Sequence, residues 1–134
     1  MAGYSGTPLV QKLGIKEGHR VAILTAPAGF TLGALPAAVT VQTTLAGKAP
    51  LDVVILFVTQ RAVFERQLAK IRPRMAPACG TWIAWPKAAA KIPTEVTENV
   101  VREVALPTGL VDNKVCAIDD TWSGLRLVIR RALR

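Results

Sequence analysis

Asp119 and Asp120 form the one adjacent pair of acids in the chain, and they stand directly before Thr121, Trp122 and Ser123. Neighbouring carboxylates do acid–base work when their surroundings push the two pKa values apart, and a nearby cation then stabilises the negative charge that develops. Lys87, which follows Trp85-Pro86, and Arg61, which follows Thr59-Gln60, could supply that cation. The plainer role for the two acids is to shape a turn, because Asp side chains readily accept bonds from nearby backbone amides. Other chemistries have less to work with. The single histidine, His19, precedes the first apolar run, and the chain lacks a G-x-x-x-x-G-K-[ST] loop, a C-x-x-C pair and a G-x-S-x-G elbow. Cys79 and Cys116 both sit inside apolar runs, where a cysteine is expected to be buried, reduced and inert. No metal site and no cofactor is expected.

Four segments can act together only if strands bring their ends to one rim. The run Val21-Ala22-Ile23-Leu24-Thr25 is apolar on both faces, as in a strand covered by helices on either side. Thr7, Pro8 and Gly14 mark a short helix before it, with Thr7 as the cap, and a Pro/Gly loop from Ala26 to Gly33 follows. Residues 39–43 alternate as an edge strand, and Leu51 to Val58 is the most apolar run, hence a central strand. Val63, Phe64, Leu68 and Ile71 recur at helical spacing, with Pro73 and Pro77 as stops. Residues 80–85 read as the next strand. A helix capped by Thr94 presents Val96, Val100, Val101 and Val104 and ends before Gly109. Residues 114–118 and 125–129, joined by a turn over 119–123, close the chain as an antiparallel hairpin.

Strands alternating with helices predict an α/β fold: a three-layer Rossmann-like sandwich with a mostly parallel sheet and a C-terminal antiparallel hairpin strand. The 134 residues read as one domain, 1–134, long enough to bury roughly two-thirds of the surface exposed by the unfolded chain. In such sheets ligands bind beyond the carboxyl ends of the strands. If the first strand of the hairpin runs parallel to its neighbours, Thr59, Arg61, Trp85, Lys87, Asp119, Asp120, Trp122 and Ser123 share that rim. An aromatic wall with a few fixed charges is what a small-molecule pocket requires.

Seventeen Lys and Arg against nine Asp and Glu give a net charge of +8, which favours an anionic partner: a small anionic ligand, an acidic protein or nucleic acid. Arg61, Arg66, Lys70, Arg72 and Arg74 on one helix and its end are the candidate nucleic-acid contacts, although no aromatic residue interleaves with them as a stacking platform. The N-terminus has no basic segment leading into an apolar core. The uncharged stretch from Val21 to Gly47 is broken by Pro27, Gly29, Gly33 and Pro36, so neither a signal peptide nor a membrane span is expected. The expected setting is cytoplasmic, and an exposed final strand would permit a homodimer.

The order of elements loosely resembles the class I methyltransferase variant of the Rossmann fold. Its glycine-rich loop after the first strand is missing, however: Thr25-Ala26-Pro27-Ala28-Gly29-Phe30 has one glycine, and Pro27 lacks an amide donor. The second strand ends in Gln42-Thr43-Thr44, without the carboxylate that would hold a ribose. A second resemblance rests on Gly3-Tyr4-Ser5-Gly6-Thr7-Pro8-Leu9, Trp85-Pro86-Lys87 and the run from Val111 to Arg126. These segments look like a small bacterial family catalogued as domain of unknown function three thousand and fifty-two, and imply a bacterial, cytoplasmic protein without supplying an activity. The leading expectation is a non-catalytic binding or regulatory module whose ligand lies at the rim. The alternatives are a small enzyme using Asp119 or Asp120 with Lys87 or Arg61, and a nucleic-acid-binding protein using the basic helix.

Overall fold

The computed structural model describes residues 7–134, so the part of the N-terminal family motif at Gly3–Gly6 lies outside the described residues. Six strands form one sheet: β1 (Arg20–Leu24), β2 (Thr40–Gln42), β3 (Leu51–Phe57), β4 (Met75–Pro86), β5 (Leu110–Ala117) and β6 (Trp122–Ile129). Their order is β2-β1-β3-β4-β6-β5. The first four are parallel, while β6 runs antiparallel to both β4 and β5. The expected α/β sandwich is the fold observed, with β3 central and β2 at an edge. No helix among the described residues is long and apolar enough to cross a membrane.

Three α-helices, α1 (Leu9–Lys12), α2 (Arg61–Ile71) and α3 (Glu98–Ala105), cover the sheet. One face packs Leu24, Leu56, Ile83 and Trp85 against Phe64 and Leu68 of α2 and Val101 of α3. The other packs Val53, Ile55, Phe57, Trp82 and Ala84 against Val10 and Leu13, with Phe30 and Leu32 of the post-β1 loop alongside. The division follows the pleat: neighbours such as Ile83 and Ala84 in β4 point to opposite faces. Trp82 fixes α1 in place, since its buried Nε1 donates to the Leu13 carbonyl at 3.1 Å.

Several boundaries differ from the sequence reading, each for a local reason. The cap of α3 is Thr97, whose hydroxyl accepts from the Val100 amide, whereas Thr94 forms a turn by accepting from Val96 N. Val96 is fully buried and Glu95 accepts from the Arg61 amide, so tertiary contacts hold this segment extended before the helix starts. Pro8 occupies the cap position of α1, and no side-chain bond caps that helix. β4 begins at Met75, five residues before Gly80, and passes through Pro77. The register shift between Leu51↔Met75 and Val53↔Gly80 leaves a bulge there, where a missing amide is tolerated. β5 begins at Leu110, and Trp122 and Ser123 belong to β6 rather than to the turn.

Candidate functional site

β5 lies outermost on the sheet and pairs with no strand but β6, yet it runs in the same direction as the parallel strands, so its carboxyl end reaches their rim. Pro86 pairs with Trp122, and Lys87 N donates to Thr121 O at 2.8 Å, so the Trp85–Lys87 and Thr121–Ser123 segments are adjacent. They do not form one pocket. In the β4–β6 ladder Trp85 pairs with Ser123 and Pro86 with Trp122, which sends Trp85 and Trp122 to opposite faces. Trp85 is buried in the core beneath α2 and α3. Trp122 packs edge-on against Phe57 with ring centroids 5.1 Å apart, on the α1 side.

The charged candidates separate in the same way. Arg61 reaches Glu103 at 3.0 Å and Glu65 at 3.4 Å on the outer surface of α2 and α3. The Thr59 carbonyl accepts from Glu95 N. Asp120 is exposed and Lys87 half-buried. Of the basic helix, Arg72 donates to Thr108 O, and Arg74 donates to Leu45 O and Ala49 O, so these two are engaged in holding loops; Arg66 and Lys70 are exposed. His19 caps a loop, its Nδ1 accepting from Lys16 N. Burial pushes the Cys79 thiol up to about 12, and burial also raises that of Cys116. Neither thiol is therefore primed as a nucleophile.

Of the rim candidates, Arg61 borders a cavity of about 330 Å³ shared with its carboxylate partners Glu65 and Glu103, and Asp119 lines a larger one. That cavity, about 630 Å³, lies between α1, the post-β1 loop and the β5–β6 turn, with Pro8, Leu9, Phe30, Leu32 and Ile118 as its apolar wall. Its volume falls in the usual range for organic ligands. Asp119 is the only acid in the lining, and Lys12 lies beside it in the wall. Asp119 Oδ1 accepts from the amides of Thr121 and Trp122, both at 2.9 Å, which fixes the carboxylate. Sequence reasoning missed the rest of the lining because Pro8, Leu9, Phe30 and Leu32 carry no reactive group. Gly29 and Gly33, both at positive φ, were the signal that this loop turns back on itself.

No family model matches this chain, and no curated protein matches it. Solved structures do. A SAM-dependent methyltransferase from Aquifex aeolicus superposes with a TM-score of 0.57 at 15% identity, covering 90% of this chain and 88% of that one. Magnesium protoporphyrin IX methyltransferase from Synechocystis, with bound SAM, gives 0.60 at 12% identity over 90% of this chain and 74% of the other. The fibrillarin pre-rRNA processing protein of Methanococcus jannaschii gives 0.62 at 12% identity, covering 92% and 69%. The fold is thus that of the class I methyltransferases, as the order of elements suggested. Two expectations are corrected by these matches. A purely non-catalytic binding or regulatory module, and the leaning against an enzyme, rest on missing motifs; the architecture instead recurs in one methyltransferase structure after another.

S-adenosylmethionine is the group this fold implies, and the crevice at the carboxyl ends of β1 and β3, where the strand order reverses, is where such sheets take a nucleotide-like ligand. The residues present do not fit it there. Thr25, at φ 54°, turns its hydroxyl down onto the carbonyls of Leu24 (2.7 Å) and Phe57 (2.5 Å), across the gap between β1 and β3. Pro27 has no amide, and the Phe30 amide is spent on Pro27 O. Phe30 itself packs edge-on against Phe57, with ring centroids 4.9 Å apart. Gln42 donates its amide to Thr44 O and Ala46 O, and no carboxylate stands at that strand end for a ribose.

Proposed function

We propose that this protein is a small enzyme of methyltransferase fold that binds an organic ligand in the cavity beside α1, with Asp119 as its proton acceptor. The observation that carries the reading is the position of Asp119, the one carboxylate in an otherwise largely apolar cavity of about 630 Å³, held by two backbone amides. Oδ1 is committed to those amides, which leaves Oδ2 to take a proton from an O–H or N–H of the ligand, whose heteroatom keeps the electron pair. The apolar part of the wall selects a ligand with a hydrophobic body. No step is assigned to S-adenosylmethionine. Asp120, Lys87 and Arg61 have no part in this reading, because none of them lines the cavity. A single domain over residues 1–134, a cytoplasmic setting with both thiols reduced, and membership of the small bacterial family signalled by the Val111–Arg126 run all go with it.

The test is a screen of small apolar alcohols, phenols and amines by amide chemical shifts, followed by Asp119→Asn. Saturable shifts at Leu9 and Gly29–Gly33 that persist in Asp119→Asn, together with loss of turnover of the same compound, are expected. Ligand shifts confined to the carboxyl ends of β1 and β3, with none at Leu9, would overturn the assignment of the cavity. Undiminished turnover in Asp119→Asn would overturn the role of the carboxylate.

A further inference from the structure

Three arginines of this chain are held in well-defined but different electrostatic settings. Arg61 and Arg102 each reach two carboxylates: Glu65 and Glu103 for the first, Glu98 and Asp112 for the second. Arg126 is more buried than an ordinary surface arginine, yet it forms no ion pair with any described residue. Its one side-chain bond is a long one, from Nη1 to Asn113 Oδ1 at 3.4 Å. Burial, with the neighbouring Arg134 adding to it, holds its guanidinium below the usual range. A partly buried cation without a counter-charge is a place where an anion is favoured.

The sequence goes out of its way to seat this group. Arg126 on β6 faces Trp82 of β4 and Lys114 of β5. A Cβ at Gly80 would fall against Nε and Cζ of Arg126, so the guanidinium, as placed here, lies close over the β4 backbone at this glycine. The group opens onto a cleft of about 240 Å³ between the C-terminal end of α1 and the β5–β6 ladder, lined also by Gln11, Lys12, Asn113 and Lys114. Three of its lining residues are cationic and none is acidic. Lys114 reaches across to α1, its Nζ donating to the Lys12 carbonyl at 3.2 Å, which holds the ammonium at the mouth.

We propose that this cleft is a binding site for a small oxyanion of the phosphate class, gripped by Arg126 with Lys114 at its mouth. A planar guanidinium fork beside an ammonium matches a tetrahedral oxyanion, and charge-assisted bonds of this kind are the strong ones. The small volume suits a single phosphoryl group rather than a nucleotide or a polymer. The site does not rest on the proposed acid–base role of Asp119, which lines the neighbouring cavity, although Lys12 borders both.

Inorganic phosphate, titrated against chloride at equal ionic strength, should shift the amides of Gly80, Asn113 and Lys114 saturably. Arg126→Gln should weaken that binding by about ten-fold or more, and Lys114→Gln by a smaller factor, as expected for lost bonds to a charged group. Lys70→Gln, an exposed charge on α2, should leave it unchanged and controls for general attraction. If Arg126→Gln fails to fold, Lys114→Gln, on an exposed edge-strand position, decides. Methyl phosphate as a second probe separates a monoester site from one for the free ion, and saturable binding of either supports the assignment. A response that does not saturate, or that falls equally in Lys70→Gln, overturns it.

Discussion

Asp119 has a structural duty and a proposed chemical one, and two substitutions separate them. Asn keeps an oxygen that can accept from Thr121 N and Trp122 N, whereas Ala leaves both half-buried amides to find water or remain unpaired. Each bond to the carboxylate contributes on the order of 1 kcal/mol net. Asp119→Ala should therefore cost about 2 kcal/mol and Asp119→Asn well under 1 kcal/mol. For 134 residues the unfolding entropy near the midpoint is about 0.28 kcal/mol/K, so 2 kcal/mol lowers Tm by roughly 7 °C. Differential scanning calorimetry at neutral pH measures both variants directly. Equal losses for Asn and Ala would refute the reasoning, because the hairpin would then depend on the negative charge and not on the accepted bonds. No loss for Ala would mean that the turn is fixed by Ile118 N→Trp122 O and strand pairing alone.

Trp82→Phe removes the buried donor to Leu13 O and should destabilise by about 1–3 kcal/mol; hydrogen exchange should show the amides of α1 losing protection before those of β3. Gly124→Ala would press a Cβ to 2.8 Å from Ile118 Cδ1 and 3.2 Å from Trp82 Cε3, an overpacking worth about 1–3 kcal/mol in a urea melt. With its thiol raised to about 12, Cys79 is protonated throughout the ordinary pH range, and at pH 8 only about one molecule in ten thousand carries the thiolate. Cys116, half-buried, should react with an aromatic disulfide reagent well before Cys79, and two fast thiols in the native protein would contradict the burial. Calorimetric titration with S-adenosylmethionine should give no saturable heat; tight binding lost in Thr25→Val would show that the crevice accepts it after all.

The sheet was legible because apolar runs and turn residues carry it, and Leu51 to Val58 stands out at any window. What sequence alone did not decide was parity. Trp85 and Trp122 both belong to strands that end at one rim, and their chemistry invites a shared wall. One residue of register separates them: Trp85 opposite Ser123 and Trp122 opposite Pro86 put the two indoles on different faces. The choice of Thr97 over Thr94 as cap is of the same kind. Both are good capping residues, and a buried Val96 together with the bond from the Arg61 amide to Glu95 selects between them.

The loop after β1 explains why the fold and the missing motif are compatible. Between Leu24 and Thr40 the chain forms no helix, and Thr25, Gly29, Gly33 and Ala38 all take positive φ. A loop that bends so often can fold back on the sheet, and Phe30 does so by packing edge-on against Phe57, which in turn meets Trp122. That aromatic chain occupies the ground beside the crevice that a glycine-rich turn would leave open for phosphate or carboxylate. Residues 29–33 of the same loop and Leu9 of α1 line the cavity that Asp119 also lines. Crevice and cavity are thus coupled through one ring. Replacing Phe30 by Ala should enlarge the cavity and loosen Trp122 together, at a cost of about 3 kcal/mol or less because the ring is only half-buried. Tryptophan fluorescence that stays unchanged in Phe30→Ala would break the link between the two.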